Sequence, residues 1–186
     1  MSNHQPLAIK HVQRWLKDVV IELNFCPFAK REVDKNTVKY QLSNGLKIDD
    51  LLDELSAELR YLVKNENVAT TLIIYPSTPT LNEFEYYLDF LDIANELLIE
   101  SGYEGIFQIA SFHPDYCFEG EKPNAPSNYT NRSPYPIIHL LRESSIEAAL
   151  VHVTDASKIP ERNINYANRL GLNKLQQRLA RCCEDT

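Results

Sequence analysis

VATTLIIYP, residues 68–76, is the stretch on which the fold turns. Its β-branched residues form a continuous apolar run, which suits a strand buried on both faces and not one with a wet side. Such a strand needs helices above and below it, and the flanking sequence supplies them. Before it, Leu52, Leu55, Leu59 and Leu62 recur at helical spacing, with Asp49, Asp50 and Asp53 near the positive end. After it, Thr80 and Glu83 have capping-box spacing. They open a predicted helix whose stripe includes Phe84, Tyr87, Leu88, Leu91 and Leu98 and which stops at Gly102.

Two further strands are expected, TVKYQL (37–42) and GIFQIASF (105–112). PIIHLLRE (136–143) reads as a strand from its proline and short apolar core, with a helix as the alternative. Ser144 and Glu147 form a second capping box, predicting a helix to about Val153. At the N-terminus, Val12, Leu16 and Val20, with Trp15, Val19 and Leu23 beside them, predict a helix ending near Asn24. The C-terminal segment, about 158–183, is helical and divided at Gly171, with Leu172, Leu175 and Leu179 on its later face.

Strand, helix, strand, helix, strand implies crossovers and parallel pairing. The fold class is therefore α/β: a single domain over residues 1–186, built as a sandwich. It has a small mixed, mostly parallel sheet flanked by helices, with helical N- and C-terminal segments. The last strand can return antiparallel after a long loop, about 113–136.

The chain has 186 residues, a formal charge of −7 and a pI near 5.2. That balance excludes a phosphate-backbone binder, which needs a basic face. No run approaches the roughly 20 apolar residues of a membrane span, and the N-terminus lacks the pattern of a signal peptide. The expectation is a cytoplasmic protein with reduced cysteines, no nucleic acid, no membrane and a small-molecule ligand. Its oligomeric state is left open.

Chemistry concentrates in the long loop. His113 and Asp115 in FHPDYC lie two positions apart, so extended backbone puts them on one face. They form a candidate acid/base pair or two ligands of a divalent metal, with His139 as a third ligand if its segment lies alongside. A satisfied core histidine is the plainer reading of His139. The aromatics Tyr116, Phe118, Tyr129 and Tyr135 argue for an ordered loop. Asn128, Asn131 and Tyr116 are candidate substrate contacts, and Arg132 can clamp a carboxylate or phosphate, or serve as a structural ion pair. Ser77 and Thr78 in YPSTPT (75–80) precede a helix N-terminus and suit an anion, or simply a capped turn. Arg142 and Glu143 are expected to pair locally. In NFCPFAKRE, Cys26 has Lys30 and Arg31 nearby, which favour a thiolate; a buried inert cysteine is the alternative. A Cys26–His113 dyad oriented by Asp115 requires the two segments to meet.

NFCPFA, QIASFHPDYCFEG, NYTNRSPYPIIHLLRE and IPERNI together resemble the bacterial family called domain of unknown function 1415. The resemblance runs over nearly the whole chain and implies no activity, substrate or catalytic residue. Neither a G-x-G-x-x-G nor a P-loop fingerprint is present, so hydride chemistry and a P-loop nucleotidase fit poorly, and the cofactor is left open with a divalent metal as the candidate. Three functions stay open. The first is a small hydrolase or group-transfer enzyme acting on a polar or anionic metabolite through His113, Asp115 and Arg132. The second is a non-catalytic module binding a small molecule or a protein. The third is a Cys/His metal- or redox-handling protein.

Overall fold

The computed structural model describes residues 4–151 and 155–184. The sheet has four strands, β1 (Val38–Leu42), β2 (Thr70–Ile74), β3 (Phe107–Phe112) and β4 (Ile137–Arg142), in the order β1-β2-β4-β3. The fold is α/β as expected, with one correction. β1 pairs parallel with β2, but β4 pairs antiparallel with both β2 and β3, so the sheet is mostly antiparallel. β1, β2 and β3 all run the same way, as the crossovers require, but β2 and β3 are not neighbours, because the long loop carries β4 back into the gap between them. The segment PIIHLLRE is thus a strand, and a central one.

Every residue of β2 is buried, as its apolar run required. Two cores result, one on each face. On one face Ile73, Ile138 and Leu140 pack under α3 (Ile48–Lys64) and α4 (Phe84–Glu100), against Leu55, Leu59 and Phe90. On the other, Leu72, Ile74 and Ile137 pack against Val12, Trp15, Val19 and Val20 of the N-terminal helix. α6 (Ile159–Leu170) and α7 (Leu172–Cys182) close that side through Ala167, Leu175 and Cys182. Cys182, outwardly an incidental tail residue, belongs to this core.

The N-terminal helix is α-helical as α1 (His4–Trp15) and then widens to a π-helical turn over Leu16–Ile21. The Glu22 N–H donates to the Lys17 carbonyl (3.0 Å), and that of Phe25 to Val20 (2.9 Å), five residues back. Such turns are rare and frequent at functional sites. Asn24, at φ 54°, ends the helix. A short helix not anticipated from the sequence, α2 (Ala29–Asp34), follows.

Neither capping box forms. Thr80 lies in a 3-10 turn (Pro79–Asn82), and α4 begins at Phe84 without a side-chain cap. α5 (Glu143–Leu150) begins one residue before Ser144, continuing directly from β4. The expected end of that helix near Val153 lies outside the described residues. On α4 the buried stripe is Tyr87, Phe90, Ala94 and Leu98, while Leu88 faces solvent. Arg142 does not pair with Glu143. Its Nη2 donates to the carbonyl of Leu62 (2.6 Å), and its guanidinium lies over the Phe107 ring. Among the described residues no helix is long and apolar enough to cross a membrane.

Candidate functional site

The long loop is ordered by its own polar side chains. His113 continues the phase of Phe107 and Ile109 and so turns toward α4, where it is fully buried. Its ring sits 5.1 Å from both Phe84 and Tyr87. The backbone N–H of Asp115 donates to Nδ1 (3.0 Å), and Nε2–H donates to the Leu81 carbonyl (2.9 Å). Both ring nitrogens are thus committed to backbone, which fixes the neutral tautomer. Burial also holds the imidazole's pKa below its ordinary value, chiefly through desolvation. The Asp115 side chain is exposed.

The other loop candidates serve the same scaffold. Asn128 is fully buried; its Oδ1 accepts from the Phe118 N–H (3.0 Å) and its Nδ2 donates to the Lys122 carbonyl (2.9 Å). The Arg132 guanidinium donates to the carbonyls of Tyr116 (3.2 Å) and Pro123 (2.6 Å) and rests on the Tyr129 ring. Asn131 donates to the Ser111 carbonyl (3.2 Å). Tyr116 packs on Phe84 and Phe118. In the turn after β2, Ser77 is exposed, and the buried Thr78 hydroxyl donates to the Gly45 carbonyl (2.8 Å).

The sheet separates the residues that the sequence offered as one site. His139 pairs in register with Leu72 and Ala110, so it lies on the face opposite His113. Cys26 is on the His139 side, so neither a Cys26–His113 dyad nor a joint His113–His139 site is assembled. Among the described residues no group of three or more His, Cys, Asp and Glu could hold a metal ion.

What the structure does bring together is Cys26 and His139. Between the sheet, the π-helical turn, α2 and α5 the face is incompletely covered, leaving a two-lobed hollow. The lobes measure about 90 and 250 Å³ and share Leu16, Cys26, Phe28, Ala29, Leu72 and His139 as walls. Trp15, Ala110 and Phe112 extend the larger lobe, and Ala69 and Ala149 the smaller. The small side chains of Ala29, Ala69, Ala110 and Ala149 leave the space open. A third hollow of about 360 Å³, lined by Asn131 and Asn163 among others, also reaches Cys26. Asn163 helps shape it by donating to the Phe25 carbonyl (2.6 Å), while Arg162 donates to the Asn24 carbonyl. IPERNI thereby pins the NFCP turn that presents the thiol.

Burial sets the electrostatics of the hollow. Desolvation raises the Cys26 pKa, outweighing the backbone N–H groups of Phe28 and Ala29 and the Arg162 charge, so the thiol stays protonated at neutral pH. The activating lysine and arginine seen in the sequence are not among the groups acting on it; Lys30 pairs with Asp34 instead. Desolvation lowers the His139 pKa to about 4, so that ring is neutral too. Its Nε2 meets the Thr70 hydroxyl at 2.6 Å. Cys26 and His139 each stand out in the sequence, but not as partners, because only β4's insertion beside β2 sets His139 in the wall of the hollow that Cys26 lines.

No curated protein and no solved structure matches the chain. A family model described as protein of unknown function (DUF1415) matches residues 7–177, which is most of the 186-residue chain. The chain belongs to the DUF1415 family.

Proposed function

We propose that this protein is a binding module for a small, largely apolar molecule, held in the hollow between the sheet and the π-helical turn. One observation carries the reading. The hollow is walled mostly by aliphatic and aromatic side chains, and the two titratable groups shared by its lobes, Cys26 and His139, are held in their uncharged forms, while Glu32 and Arg142 line the smaller lobe alone. Apolar pockets with a few placed polar groups are the usual form of small-molecule sites. An acid/base role for His113 requires releasing the Leu81 carbonyl and the Asp115 N–H, and a clamp role for Arg132 requires freeing it from two loop carbonyls. The geometry therefore favours binding over hydrolysis or group transfer.

The test is titration with N-phenyl-1-naphthylamine, a neutral apolar fluorophore. Saturable one-to-one binding is expected, lost in Ala29→Phe or Ile146→Trp, which fill the hollow from α2 and α5. Absence of saturable binding, or equal binding in both filled variants, overturns the reading.

A further inference from the structure

The hollow's chemistry goes further than apolarity, because a hydrogen-bond chain at its floor has a fixed direction. The Thr70 hydroxyl lies 2.5 Å from the Leu140 carbonyl and 2.6 Å from His139 Nε2. It has one hydrogen. A carbonyl has none to give, so the hydroxyl donates to Leu140 and accepts from His139 Nε2–H. The imidazole is neutral, so Nδ1 carries a lone pair. No hydrogen bond to Nδ1 is present among the described residues. In the larger lobe the other polar side chains are the Cys26 thiol, the exposed Gln108 and the Trp15 indole, whose N–H is committed to the Arg132 carbonyl (2.9 Å).

Charged partners fit poorly. Glu32 lines the smaller lobe and repels an anion. Arg142 also lines it, but its guanidinium donates to the Leu62 and Val68 carbonyls on the other side of the sheet. Burying an ionised head group without a partner is costly.

We infer that the hollow takes a neutral molecule that presents a hydroxyl donor, an alcohol or phenol on an apolar body, to Nδ1 of His139. This rests on the proposed binding reading and names the ligand class for the same site.

Trp15, the one tryptophan of the chain, lines the larger lobe and reports on occupancy by its fluorescence. Three probes share an eight-carbon chain: n-octanol, octyl methyl ether and octanoate. Octanol is expected to bind roughly five- to tenfold tighter than the ether, the yield of one net hydrogen bond. Octanoate at pH 8 is expected to bind about a hundredfold more weakly than octanol, reflecting an unpaired buried charge. In His139→Leu the alcohol's advantage should vanish while the ether still binds. In wild-type protein with ¹⁵N-labelled histidine, octanol but not the ether should shift the Nδ1 resonance of His139; this needs no variant to fold. Equal affinity of alcohol and ether, preference for octanoate, or an unmoved Nδ1 resonance overturns the inference. If N-phenyl-1-naphthylamine still binds in those cases, the apolar-pocket reading survives; if nothing binds, both fall.

Discussion

His113 holds the turn that follows it: its Nδ1 accepts the Asp115 N–H at 3.0 Å while its Nε2–H fixes the Leu81 carbonyl at 2.9 Å. One ring thus ties the long loop to the segment before α4. His113→Ala removes both bonds and leaves a void between Phe84 and Tyr87. The expected loss is about 2–4 kcal/mol of unfolding free energy. Urea denaturation measures it, and N-phenyl-1-naphthylamine affinity should be unchanged wherever the variant is folded. A variant as stable as wild type would show that the ring is not a structural tie.

Asn128 does similar work within the loop, satisfying one backbone donor and one acceptor while wholly buried. Asn128→Ala strands the Phe118 N–H, while the Lys122 carbonyl keeps the Ala125 N–H, and about 1–3 kcal/mol of destabilisation is expected. Loss should concentrate in faster hydrogen exchange of the Phe118 amide. Protection equal to wild type at that amide contradicts the assignment.

Stability should depend on pH through His139. Its folded pKa is about 4, below the ordinary 6.5, so the unfolded chain binds the extra proton first. The contribution is complete above pH 6.5, shrinks as pH falls toward 4, and is gone below that. Its full size is on the order of 3 kcal/mol. His113 is shifted in the same direction and adds to the slope. Denaturation midpoints between pH 7.5 and 4 should fall in wild type and fall less in His139→Leu. Identical slopes would mean that His139 titrates normally.

Cys26 should react slowly with alkylating agents at neutral pH, because desolvation keeps it a thiol. Peptide-resolved iodoacetamide labelling should show its rate still climbing above pH 9. Octanol should protect it, since the thiol walls the hollow. A rate plateau near pH 7 would instead mark an activated nucleophile.

Gly45 is confined by its neighbours. A Cβ there would stand 2.7 Å from Leu51 Cδ2 and 3.1 Å from Asp50 Cβ. Leu51 is fully buried and has little room to yield. Gly45→Ala should lower thermal stability by about 1–3 kcal/mol, the range for overpacking. An unchanged melting temperature would show that the start of α3 can shift.

The sequence disclosed the elements better than their arrangement. β2 was legible because all five of its positions are buried and all are β-branched or leucine. The loop's order was legible too, since Tyr116, Tyr129 and Asn128 are expensive to leave loose. The place of β4 was not legible. Strand pairing depends on partners about seventy residues away, as Thr70 and Leu141 are. The π-helical turn was also hidden, since Leu16 and Val20 recur at a spacing that an α-helix satisfies equally well. For the site, His139 and Cys26 were visible as chemistry but not as neighbours. The hollow exists because Ala29, Ala69, Ala110 and Ala149 converge from four separate segments. Small residues carry no periodic signal that would announce a space.

The position of β4 also bears on how the molecule is made. The strand in the middle of the sheet is the last of the four to leave the ribosome. Until residue 142 emerges, β2 and β3 each present a bare hydrogen-bonding edge to the other and to any passing chain. A nascent polypeptide stalled in the preceding loop is therefore a sticky half-sheet, and synthesis past that point is what seals it.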